Sequence, residues 1–181
     1  MADWPVDPLE ELARELRQTV GAEFRAEAEI TEQETHVGRL RKLGMADVAR
    51  AAMHRGDLVS LITATRTITG VPVYVGKDYL VCQTQTEIVD APFERVVIRV
   101  ERRPEGGHTN RGGSITFKAR LSELEHTREP VTLATADAAL EVHGRIAIVA
   151  ADHCVVEDPD GPRLHIPISQ IALVIRPRTS G

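Results

Sequence analysis

Two stretches of this chain repeat one another, and nothing else in it constrains the fold so strongly. When Val59 is set against Val131, Leu61 meets Leu133, and Gly70 meets Gly144 once the second hairpin is given two extra residues. Eight residues beyond each glycine stands an aspartate, Asp78 and Asp152. Pro92 then meets Pro167 after one more insertion, and Val96, Ile98 and Val100 meet Ile171, Leu173 and Ile175. Upstream, Met45, Ala49 and Ala52 correspond to Phe117, Leu121 and Leu124. A helix, a strand, a glycine-to-aspartate hairpin and a proline-led last strand recur in one order, which implies two copies of one unit.

The period within each unit is that of short strands. Val71, Val73 and Val75 alternate as on a half-buried strand, and the segments Leu58–Ile62, Tyr79–Thr84, Glu87–Asp90 and Arg95–Val100 complete a set of five. The glycines suit sharp strand bends, and each aspartate suits a turn where its carboxylate accepts local N–H groups. Ser114 is placed to cap a helix carrying Phe117, Leu121 and Leu124 on one face, ended by Pro130. The expected fold is mainly β with α: two small five-stranded barrels, each preceded by a helix, plus an N-terminal helical segment.

That segment is acidic. Residues 1–40 hold ten acids and four arginines, whereas the remaining residues hold 17 acids and 18 bases. Asp7 fits an N-cap and Pro8 the first helical position, with Leu9, Leu12, Leu16 and Val20 on one face. Thr31 to Glu34 has capping-box form, predicting a second helix toward His54 that breaks near Gly38 or Gly44. The expected division is 1–43 acidic helical segment, 44–101 first barrel, 102–113 Gly/Arg-rich linker and 114–178 second barrel.

The chemistry-bearing residues fall into no catalytic pattern. His143, His153, Cys154 and His165 lie in the second unit with no counterparts in the first, and there is no Cys-x-x-Cys or His-Glu-x-x-His. Cys82 and Cys154 read as buried thiols. No metal, no cofactor and no enzymatic activity are expected. No apolar run approaches a membrane span, and Met-Ala-Asp-Trp-Pro is no secretory leader, so a cytoplasmic protein is expected. The basic feature is a stretch from 94 to 120 in which Arg95, Arg99, Arg102, Arg103, Arg111, Lys118 and Arg120 face three acids. It fits a phosphate-contacting arm. Aromatic residues are few, with Tyr74 and Tyr79 the candidates for base stacking inside a strand region.

Helix, then five strands with a glycine midway along the second, resembles the Sm-like proteins. The second unit resembles bacterial Hfq through Phe117–Leu121, Glu129–Leu133, Leu140–Ile146, Val155-Val156 and His165–Ile171. The whole chain is similar to uncharacterised actinobacterial proteins that join an acidic helical head to such units. Where Hfq leads its last strand with a Lys-His pair, this chain has His165-Ile166, and Asp90-Ala91 in the first unit. The resemblance implies a non-enzymatic regulator associated with RNA. It also implies open edge strands that pair between subunits, so the alternative is a protein-interaction or self-assembly scaffold, a homo-oligomer or one docking a partner through the N-terminal helix.

Overall fold

The structure, a computed structural model, describes residues 37–38, 41–103, 106–109, 112–136, 140–158 and 161–178. The helix expected from Asp7, the capping box at Thr31 and the candidate Arg111 lie outside the described residues. The chain divides into two compact units, Met1–Leu43 and Gly44–Gly181, and every element named below belongs to the second.

Helix α1 spans Met45–Arg55 and is followed by strands β1 (Leu58–Ile62), β2 (Thr67–Val75), β3 (Tyr79–Gln83) and β4 (Glu87–Pro92). A short 3-10 turn at Phe93–Arg95 leads into β5 (Val97–Glu101). The order then recurs: α2 (Phe117–Thr127), β6 (Val131–Thr135), β7 (Glu141–Val149), β8 (His153–Glu157), β9 (Arg163–Pro167), a 3-10 turn at Ile168–Gln170, and β10 (Ile171–Pro177).

Local chemistry explains both helices. Asp47 accepts from the Gly44 N–H at 3.0 Å, so α1 starts at the expected glycine break. It ends on Gly56 in the left-handed region at φ 76°. Thr116, not Ser114, caps α2: its hydroxyl accepts from the Ala119 N–H at 3.3 Å. Arg128 closes α2 at φ 52°, where Gly56 stands in the first half.

The expectation of two small five-stranded barrels is wrong. All strands join one antiparallel open sheet in the order β5-β1-β2-β3-β4-β10-β6-β7-β8-β9. Each half keeps the same internal order, but β4 pairs with β10 of the other half, Val174 lying opposite Asp90 and Ile175 opposite Val89. Strand periodicity is the same whichever chain segment fills an edge, so the sequence pattern does not distinguish closure from continuation.

The repeat is legible in the registers. Val59 pairs with Gly70, and Val131 with Gly144. Each glycine sits where its strand passes from one neighbour to the next, and a Cβ there would strike the Gln83 or Glu157 carbonyl. Tyr79 lies opposite Pro92 and His153 opposite Pro167. The last strands match differently from the residue count. A bulge between Ile171 and Leu173 shifts β10 by one, so Val174 lies opposite Leu133 as Ile98 lies opposite Leu61. The counterpart of Ile98 is therefore Val174, and that of Val97 is Leu173.

Two apolar cores form, and each draws on both halves. Ala49, Ala52, Val59, Leu61, Cys82 and Val89 of the first half pack with Leu173 and Ile175 of β10. Leu121, Leu133, Val142, Cys154 and Ile171 pack with Tyr79 and Val81 of β3. Strand β10 is buried along both faces for this reason.

Candidate functional site

The geometry that bears on function is the seam between β4 and β10, together with the two sheet edges that lack such a neighbour among the described residues. At the seam Asp90 is fully buried. Its Oδ1 accepts from Arg120 Nε at 3.1 Å and its Oδ2 from Arg176 Nε at 3.2 Å. Arg120 also reaches Glu123 at 2.6 Å, and Arg176 reaches Glu129 at 3.2 Å. Burial pushes the Asp90 carboxyl up, against the pull of Arg176 and Arg120. The Arg120 guanidinium, though half-buried, is held above its usual value by Asp90 and Glu123.

A second set of bonds fastens the β2–β3 turn to the start of α2. Asp78 Oδ1 accepts from the Phe117 N–H at 2.8 Å, a helix-start contact with the other half where a local turn bond was expected. Lys77 N–H donates to the Ile115 carbonyl at 2.8 Å. The Tyr74 and Tyr79 hydroxyls both donate to the Ser114 carbonyl at 2.9 Å. Tyr79 also packs on Phe117 with ring centroids 5.9 Å apart. Both tyrosine hydroxyls are thus structural ties; Tyr79 is buried and offers no face on which a base could stack, whereas Tyr74 is half-buried.

The counterparts of these residues at the free ends are exposed. Strands β5 and β9 are the edges of the sheet. Val97 on β5 is 65% exposed, whereas its counterpart Leu173 is 0% exposed at the seam. His165 on β9 is exposed where Asp90 is buried. Ile148, the counterpart of Tyr74, is 50% exposed. The Asp152 side chain, the counterpart of Asp78, is 88% exposed and meets its neighbour His153 at 2.8 Å.

The basic candidates scatter. Arg99, Arg102 and Arg103 are exposed on β5 and just beyond it. The Arg103 N–H donates to Asp57 Oδ1 at 3.1 Å. Arg95 lies in the 3-10 turn, its Nε buried without a hydrogen-bond partner among the described residues. Lys118 extends from α2 to the Ala151 carbonyl at 2.8 Å. Arg120 is turned inward to Asp90, away from the others. The segment after β5 is docked rather than loose where it is described: His108 N–H donates to the Met53 carbonyl at 2.9 Å, and a Cβ on Gly107 would meet the end of α1.

The histidines and cysteines converge on no centre. His143 bonds Thr132 at 2.8 Å, and His153 lies 5.2 Å from His165 ring to ring. No group of three His, Cys, Asp or Glu suited to a metal occurs among the described residues. Burial pushes the Cys82 thiol up to about 12 and the Cys154 thiol up to about 11. Thiols so placed hold little thiolate at neutral pH and are poor nucleophiles. Among the described residues no helix is long and apolar enough to cross a membrane.

Sequence reasoning missed the ion network at the seam. Asp90 matches His165 in the repeat, but its partners Arg120 and Arg176 come from 30 and 86 residues away. The one available signal was an aspartate inside an otherwise apolar strand, Ile88-Val89-Asp90-Ala91. No protein-family model matches this chain, and no curated protein matches it.

Proposed function

We propose that this protein is a self-assembly module whose copies join edge to edge, β9 of one chain adding to β5 of the next. The observation that carries it is the seam itself: β4 and β10 are the counterparts of β9 and β5, and they already pair within the chain. An unpaired, partly apolar sheet edge is a template for another strand. In the register of the seam, Val97 of one copy meets Ile166 of the next, and Ile98 meets His165. Asp152 then stands where Asp78 stands, facing a helix start. The exposed Val97 and Ile148 are covered in such an assembly, as Leu173 and Tyr74 are within the chain.

Sedimentation of the full chain over a range of concentrations tests this. The expected result is a mass above that of one chain, reduced to one chain by Val97→Lys or Ile148→Asp with no change in thermal unfolding. A single-chain mass at every concentration removes the proposal.

Association with nucleic acid is the second reading. Arg99, Arg102 and Arg103 support it, because they are exposed in succession along the end of β5. Titration with short RNA and DNA at two salt concentrations decides it. Binding that weakens steeply with salt and with Arg102→Ala and Arg103→Ala is the expected result, and no binding at low salt removes it.

A further inference from the structure

We infer that a cleft in the first half is a binding site for a small phosphate-bearing molecule of nucleotide size. The cleft lies between the start of β1, the middle of β2, the β3–β4 turn and the residues after β5 and β10, and has a volume of about 620 Å³. That falls within the ~300–1,000 Å³ typical of small-molecule sites. Arg103, His108 and Arg178 line it together, brought in from three separate places in the sequence. Val71 and Val73 supply an apolar wall, and among the described residues no carboxylate lines the cleft.

The position of Arg178 is fixed from two sides. Its N–H donates to the Thr86 carbonyl at 2.8 Å. With the Gln83 carboxamide turned so that its oxygen faces Arg178, the orientation its surroundings favour, that oxygen lies 3.0 Å from the guanidinium. Guanidinium groups held in one direction suit phosphate oxygens, because paired N–H donors match their geometry.

The second half provides an internal comparison. Val71 pairs with Gln83, and Arg145 pairs with Glu157. Gln83 and Thr84 therefore stand where the second half has Glu157 and Asp158. The corresponding cleft is lined by Arg145, Glu157, Asp158 and Arg163, and Arg163 is bound to Glu157 at 2.6 Å. The second copy carries the carboxylates Glu157 and Asp158 on this wall, whereas the first has the neutral Gln83 and Thr84 in their place and brings Arg178 and His108 to it. This divergence distinguishes an anion site from a solvated groove. The inference does not depend on self-assembly.

Calorimetric titration of the full chain with ADP, with pyrophosphate and with adenosine tests it. ADP and pyrophosphate are expected to bind and adenosine is not. Arg178→Ala and Gln83→Glu are each expected to weaken ADP binding about tenfold or more, one charge-assisted contact being worth that factor. Arg163→Ala, in the second cleft, is expected to leave it unchanged. Gln83→Glu installs the residue that the second half carries at that place in a folded strand, so it tests the site even where Arg178→Ala lowers stability. The inference is overturned by absence of ADP and pyrophosphate binding at low salt, by ADP binding that survives both variants, or by equal binding of adenosine. Binding of a single-stranded oligonucleotide with no response to ADP or pyrophosphate also overturns it.

Discussion

Asp90 on β4 and Arg176 on β10 meet 3.2 Å apart in the middle of the sheet, and through them each half of the chain contributes a charge to the interior of the other. Arg120 completes the group on the opposite carboxylate oxygen. Desolvation is costly for every member, so the net contribution of the group to stability is small beside the cost of breaking it.

Removal of one member should therefore be severe. Asp90→Ala leaves two guanidiniums facing a buried void and is expected to cost about 3–5 kcal/mol in urea unfolding. Asp90→Asn retains an acceptor oxygen and should cost less. The Asp90→Ala, Arg176→Ala double variant should lose less than the sum of the single losses, because the two share one interaction. Additive losses would show that the pair is not coupled.

Asp78 and Asp152 occupy matching turns in different surroundings. Asp78→Ala removes the acceptor for the Phe117 N–H and should cost about 1 kcal/mol, as loss of a helix cap does. Asp152→Ala should leave the unfolding of the single chain unchanged, since its side chain is solvated. In the edge-to-edge assembly the same variant should weaken association. Paired unfolding and sedimentation measurements on the two variants separate these effects.

Arg128 holds a left-handed conformation without being glycine. Arg128→Gly should raise stability by up to about 1 kcal/mol, the penalty a side chain incurs in that region. Its N–H bond to the Leu124 carbonyl does not require the side chain. An unchanged unfolding midpoint would count against strain at this position.

Acid should act partly through Asp57. Burial raises its pKa, but the Arg103 N–H and the Arg55 guanidinium at 2.7 Å outweigh that, and the net shift is downward from 3.8. A depressed carboxyl contributes stability that is fully present above its unfolded pKa and is lost as pH falls through the folded value. Stability should thus decline below about pH 4, the ordinary aspartate range, and Asp57→Asn should flatten that decline. Urea unfolding of both proteins between neutral and strongly acidic pH measures it; parallel curves would remove Asp57 as a cause.

The repeat itself came from the sequence. The glycines at 70 and 144, the prolines at 92 and 167 and the apolar faces of both helices follow from local rules: where a Cβ clashes, where a ladder N–H is missing, where a side-chain face must be buried. Those rules act over a few residues and can be read one segment at a time. The one-residue bulge in β10 is also local, but Ile171-Ala172-Leu173-Val174-Ile175 is apolar on both faces, so no alternation marked it.

Which strand fills an edge is decided by tertiary structure alone. The backbone N–H and C=O groups of β4 are satisfied equally by β5 of its own half or by β10 of the other, and the side-chain pattern is common to both. The choice rests on contacts between distant parts of the chain: Asp90 with Arg120 and Arg176, Asp78 with the start of α2, and Leu173 in the first core. The sequence by itself determined that this protein is two copies of one mainly β unit. Only long-range packing and charge pairing decided that the copies form one continuous sheet, with β5 and β9 its outermost strands among the described residues.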